Sequence, residues 1–171
     1  MIKLVAIDID GTLVNEQKIL TDKVRDAIRQ AIDQDVQIVL CTGRPFAGIR
    51  PYIEQLAFKK EEEYVISHNG AAITRLDSME VVDQQPLRHE EIVELVQAAK
   101  GYPAEILLLN EEKFYVVARN GDEISQGVLD EGKLVQMDVE LIPIDQLPAD
   151  EQMLKMLFYG SANEVDVVEQ A

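Results

Sequence analysis

Apolar residues follow two grammars along this 171-residue chain. In the first, Ile2 to Ile9 and Val36 to Cys41 are short, nearly continuous apolar runs, the mark of buried strands, and Tyr64 to Ser67 begins a third. Between these runs apolar positions recur at helical spacing, first at Val24, Ala27, Ile28, Ala31 and Ile32, then at Ile49, Ile53 and Leu56. Thr21 is placed to cap the first helix and Pro45 to open the second, while Pro51 predicts a kink or a restart inside it. Strands alternating with helices predict an α/β fold built on right-handed βαβ units, a doubly wound parallel sheet of Rossmann-like type.

After His68-Asn69-Gly70 the grammar changes. Ala71 to Thr74 and Met79 to Val82 read as a hairpin, Ile92, Leu95, Val96 and Ala99 as one face of a helix that stops at Gly101, and Ile106 to Leu109 with Phe114 to Ala118 as two paired strands. This is an α+β pattern, so the expected division lies near Asp83 to Pro86, with a core over 1–83 and a second domain over 84–171. From Asn163 to Ala171 a helix begins, with Val165, Val168 and Ala171 on one face. Three parallel strands leave a sheet edge open and its helices partly uncovered, so the core reads as incomplete and the chain as a fragment of a longer design.

Composition narrows the partners. With 32 acidic against 16 basic side chains the formal charge is −16, a field that repels nucleic acid and anionic lipid. A phosphate site in such a chain needs local cations or donors. The single cysteine, Cys41, lies in an apolar run and reads as a small core residue; with no intrachain disulfide possible, a cytoplasmic location is expected. No stretch has the pattern of a signal peptide or the length of a membrane span. Nothing in the pattern marks an oligomeric state.

The chemistry concentrates in Asp8-Ile9-Asp10-Gly11-Thr12-Leu13. Asp-Gly between apolar residues is also a hairpin signal, but it leaves Asp8 unexplained, because two carboxylates ending a buried strand need a cation or a shared proton. At the carboxyl edge of an open sheet they form a ligand site. With a phosphate ester, Asp8 can attack phosphorus and Asp10 can protonate the leaving oxygen and later deprotonate water. Two anions facing a phosphoryl group call for a hard cation, Mg²⁺, with the Asp8 carboxylate and the Asp10 carbonyl as ligands.

Thr42-Gly43-Arg44-Pro45 ends the second strand at the same edge and can cradle phosphoryl oxygens, or Thr42 can simply cap a helix and Gly43 make the turn. Arg44 can reach phosphate, pair with an acid or lie at the surface, with a surface or structural ion pair the better reading. Asn69 can hydrogen-bond Asp10 or substrate, and Asn69-Gly70 is equally a plain turn. His68 reads as a polar strand end, His89 as solvent-facing, and Glu61-Glu62-Glu63 as a solvated loop.

These three segments, Asp8-x-Asp10-Gly11-Thr12-Leu13, Thr42-Gly43-Arg44-Pro45 and Asn69-Gly70-Ala71, resemble the haloacid dehalogenase-like superfamily, specifically its Cof-type sugar-phosphate phosphatases. The resemblance implies Asp8 as nucleophile and metal ligand, Asp10 as general acid/base and metal ligand, Thr42 and Gly43 as phosphate cradle, Mg²⁺ as cofactor and a small phosphorylated metabolite as substrate. It also implies that the α+β segment is an inserted cap. The family's later lysine and its Gly-Asp-x-x-Asn-Asp segment have no counterpart here, and Lys155 is not nominated for the lysine's place. A chain ending at Ala171 is therefore expected to be close to inactive. Two other readings use related chemistry. One is a phosphomutase, which returns the phosphoryl group to substrate; the other is a non-catalytic or receiver-like phospho-acceptor module, which wants its acceptor on the third strand, where Ser67, His68 and Asn69 stand.

Overall fold

A computed structural model describes residues 2–56, 58, 63–118 and 123–169. It divides into two compact units, Met1–Gln85 and Pro86–Ala171. The first holds a five-stranded sheet in the order β1 (Leu4–Ile7), β2 (Gln37–Cys41), β3 (Tyr64–Ser67), β4 (Ala72–Arg75), β5 (Glu80–Gln84). β1, β2 and β3 run parallel, as the βαβ pattern requires, and β4 and β5 extend the sheet antiparallel as the expected hairpin.

Helix α1 (Asp22–Asp33) starts where Thr21 accepts a hydrogen bond from the Val24 amide, the predicted cap. The second helix restarts as foreseen at Pro51: a 3₁₀ turn over Phe46–Gly48 comes first, then α2 (Arg50–Leu56) with the proline in its opening turn. Ile28 and Ile32 of α1 and Tyr52 and Leu56 of α2 bury against Ile38, Leu40 and Val65 of the sheet.

Both helices lie on one sheet face, which corrects the fully buried first strand. In β1, Val5 and Ile7 face the helices and are half-buried, whereas Leu4 and Ala6 on the other face are exposed, Leu4 by 51%. A continuous apolar run shows that a strand suits burial; it does not show that a layer covers both sides. Among the described residues, what is uncovered on that second face is the Leu4 and Ala6 end of β1. The acidic run also needs correction, since Glu63 is buried; Glu61 and Glu62 lie outside the described residues.

The second unit is a four-stranded sheet in the order β8 (Val139–Pro143), β7 (Phe114–Ala118), β6 (Glu105–Leu109), β9 (Lys155–Tyr159). Helix α3 (His89–Ala98) precedes β6 and β7, and α4 (Gln126–Val135) precedes β8. β9 and α5 (Ala162–Glu169) follow. Ile92 and Val96 of α3 pack with Ile106 and Leu108, while Val128 and Val135 of α4 pack with Leu107 and Leu109, so strand alternation places one helix on each face. Leu95, expected on the buried face of α3, is exposed. Gly101 takes a positive φ of 110° just past α3, as expected of a helix stop, and Ala171 of the predicted last helix lies outside the described residues. No helix among the described residues is long and apolar enough to cross a membrane.

Candidate active site

Parallel pairing of β1, β2 and β3 brings three loop starts to one sheet edge: Asp8 after β1, Thr42 after β2 and His68 after β3. After Asp8 the chain coils tightly. The Leu13 amide donates to the Asp8 carbonyl (3.1 Å) and the Val14 amide to the Ile9 carbonyl (3.0 Å), while Ile9, Leu13 and Val14 are buried and anchor the coil. Gly11 sits at φ 77°, a left-handed conformation that a side chain would strain. The coil leaves Asp8 and Asp10 exposed, Asp10 with 37% of its side chain accessible. The pair is thus solvated rather than buried without partners, and the argument from burial cost alone does not hold.

What holds Asp10 is arginine. Nε of Arg44 donates to Asp10 Oδ2 (2.8 Å) and Nη2 to Oδ1 (2.7 Å), a two-pronged pair that fixes the carboxylate plane. Arg44 is itself buried, with its guanidinium also donating to the Gly48 carbonyl (3.3 Å) and to the Tyr52 hydroxyl (3.4 Å). Of the readings open for Arg44, this is the acid pair. Lys18 Nζ adds a third donor, 2.6 Å from Asp10 Oδ1. The Arg44 hydrogen bond, opposed by partial burial and reinforced by Lys18, holds the Asp10 carboxyl down at about 2. The eight-residue loop from Gly11 to Lys18 gave no sequence signal for that contact.

Thr42 is buried, and its hydroxyl accepts from the Arg44 amide (3.2 Å). It therefore closes a turn in its own loop and does not cap α2, which begins only at Arg50. A hydroxyl that accepts one bond still carries a proton to offer a phosphoryl oxygen. The loop is stitched to the next one: the Asn69 amide donates to the Thr42 carbonyl (3.0 Å) and the His68 amide to the Arg44 carbonyl (3.1 Å). His68 and Asn69 take positive φ angles of 49° and 59° to do so. His68 is buried, Asn69 exposed, and among the described residues the side-chain bonds of Asp10 go to Arg44 and Lys18, none to Asn69. Cys41 is half-buried; burial first, then the Asp8 charge, pushes its thiol up, keeping it protonated.

The Asp8 carboxylate and Asp10 main-chain carbonyl are hard oxygen donors of the kind Mg²⁺ takes. Among the described residues no group of three His, Cys, Asp or Glu side chains could hold a metal.

The chain is similar to known proteins over nearly its whole length. It is 34% identical over 158 residues to the Bacillus subtilis protein named "Putative phosphatase YxeH", covering 92% of this chain and 57% of that protein. Over 72 residues, 42% of this chain and 28% of that protein, it is 43% identical to the 5-amino-6-(5-phospho-D-ribitylamino)uracil phosphatase YcsE of Bacillus subtilis. The fold matches a haloacid dehalogenase-like hydrolase from Bacteroides thetaiotaomicron with a TM-score of 0.80 at 25% identity, covering 99% of this chain and 62% of that one. The chain thus spans about three fifths of the length of relatives that match most of it. The α/β, Rossmann-like reading holds in these comparisons, and residues 5–171 match the family described as haloacid dehalogenase-like hydrolase: the chain belongs to that family.

Proposed function

We propose that the protein carrying this chain is a Mg²⁺-dependent phosphatase that hydrolyses small phosphorylated metabolites through an aspartyl-phosphate. The single observation that supports this most is Asp10, gripped on both oxygens by Arg44 two residues past Asp8 and beside the buried Thr42 loop. An Asp8 carboxylate oxygen attacks phosphorus, the bond from phosphorus to the ester oxygen breaks, and the departing oxygen takes a proton from Asp10. Water then attacks phosphorus while giving a proton to Asp10, the bond to Asp8 breaks, and inorganic phosphate leaves. Between turnovers the two cations keep Asp10 as a carboxylate, the proton taken from water having passed to solvent; a bound phosphoryl oxygen opposes those cations, so Asp10 takes from the phosphate monoanion the proton that it then gives to the leaving oxygen.

The Thr42 hydroxyl and the Gly43 backbone bind the non-bridging oxygens, and Asn69 supports the Thr42 loop through its amide. Mg²⁺, held by the Asp8 carboxylate and Asp10 carbonyl, supplies positive charge against the phosphoryl oxygens when bound. The unit Met1–Gln85 is the catalytic core and Pro86–Ala171 an inserted cap, a boundary two residues later than the expected 83/84 because β5 runs to Gln84. An enzyme acting on a phosphorylated polyol or sugar fits the name of YcsE, whose substrate carries its phosphate on a ribityl chain.

The test is phosphate release by the natural-length protein from a panel of sugar, polyol and cofactor phosphates. Activity on at least one ester with Mg²⁺, lost on chelation and restored by adding Mg²⁺ back, is expected. Hydrolysis that persists undiminished in excess chelator contradicts the metal requirement.

A further inference from the structure

We propose that Lys18, tethered by the Tyr52 hydroxyl, is a second positioning residue for the Asp10 carboxylate; this rests on the reading of Asp10 as general acid. Arg44 fixes the plane of the carboxylate, but a planar pair still slides and rocks. Lys18 reaches the same Oδ1 (2.6 Å) from a different loop, so the two cations together leave Asp10 one position.

The backbone around Lys18 is built to deliver that side chain. The Lys18 amide donates to the Asn15 carbonyl (2.9 Å), the Asn15 amide to the Ile19 carbonyl (3.2 Å), and the Asn15 side-chain oxygen accepts from the Ile19 amide (2.9 Å). In this turn Lys18 sits at φ 60°, a position that turn chemistry gives to Gly or Asn. A lysine held left-handed and aimed at a carboxylate is a local outlier of the kind found at functional sites.

Tyr52 links the two cations. Buried on α2, its hydroxyl donates to the Lys18 carbonyl (3.2 Å) and accepts from Arg44 Nη1 (3.4 Å), and the Arg44 guanidinium lies 5.5 Å from its ring centroid. One helix side chain thus sets the loop of Lys18 and the loop of Arg44 against each other. An ion pair as exposed as that of Lys18 and Asp10, 39% and 37%, adds little to stability, so its effect lies in geometry.

The experiment compares Lys18→Met, Lys18→Arg and Tyr52→Phe in the natural-length protein on an alkyl phosphate and on p-nitrophenyl phosphate. The quantity read is kcat/KM, which covers the steps through departure of the leaving group. An alkoxide needs the proton from Asp10, whereas p-nitrophenolate leaves without it. For Lys18→Met the alkyl ester is expected to lose about tenfold and the aryl ester less than about twofold. Tyr52→Phe shifts the same ratio by about threefold, Lys18→Arg restores most of it, and inhibition by inorganic phosphate is unchanged. Equal losses on both esters, no loss, or weakened phosphate inhibition that accounts for the loss would overturn the assignment. Asp10→Asn is measured alongside: if it spares the alkyl ester, the general-acid reading itself fails; if it does not, an unselective Lys18→Met removes only the role of Lys18.

Discussion

Replacing Asp8 with Asn is expected to lower phosphate release from every substrate by about 10⁴-fold or more, the scale of losing a catalytic nucleophile. The amide keeps the shape of the side chain but removes the anionic oxygen that bonds to phosphorus. The same change weakens a proposed Mg²⁺ ligand, which acts in the same direction, while the fold is little affected. The Asp8 side chain is exposed, and the hydrogen bond that shapes its loop, from the Leu13 amide, lands on the Asp8 main-chain carbonyl. Stability should therefore stay within about 0.5 kcal/mol of wild type, as for other surface substitutions. Thermal unfolding alongside initial rates checks both halves. A variant that retains a tenth of its activity would show that Asp8 is not the attacking group.

Arg44→Lys is expected to cost about a hundredfold in turnover of alkyl phosphates, because one ammonium cannot reproduce a planar two-pronged grip on Asp10. It also carries a pH signature. The pair holds the Asp10 carboxyl at about 2 against an ordinary 3.8, so it contributes stability that is fully present above 3.8 and is lost as pH falls through about 2. In the variant the Asp10 carboxyl titrates nearer its ordinary value, and the stability lost between 3.8 and about 2 shrinks. Carbon-detected titration of Asp10 reads the first directly. The stability change is small because Asp10 is more than a third exposed and solvent screens the pair. If the Asp10 carboxyl does not move when Arg44 is replaced, the grip described here is not what depresses it.

The parts that were legible in the sequence share a physical origin: they are local. Asp8, Asp10 and Gly11 announce a strand end, a turn and an acid pair within four residues, and Thr21 and Pro51 mark helix boundaries through a bond or a ring that reaches at most four residues, whereas Pro45 precedes a short 3₁₀ turn and is not the first residue of α2. What escaped is set by tertiary context. Whether Leu4 meets a covering layer depends on elements elsewhere, and the alternation of β1 is the same in both cases. Glu63 is charged in a charged run and still buried. The strands β8 and β9 carry no strand signal in the sequence, because Glu140 and Lys155 interrupt short apolar segments.

The same division runs through the site. Tyr52 is buried on α2 with Leu56, while its hydroxyl serves two loops, contacts that helical spacing does not show. Lys18 sits in an unremarkable polar stretch, Asn15-Glu16-Gln17-Lys18, and only the left-handed turn brings it onto Asp10. For Arg44 an ion pair stands beside a surface position among the readings, its burial is not legible, and nothing local says which acid it meets. A lysine eight residues from its acid and an arginine thirty-four residues away have no spacing rule to reveal them.

The most direct measurement of the central claim traps the phosphorylated protein. The natural-length enzyme is mixed with a turned-over phosphate ester, quenched within one turnover and reduced with borohydride, which converts an acyl phosphate to an alcohol; the peptides are then weighed. The account predicts the modification on the peptide carrying Asp8 and its absence from the Asp8→Asn variant. Modification at another residue, or unmodified Asp8 while turnover proceeds, would contradict it.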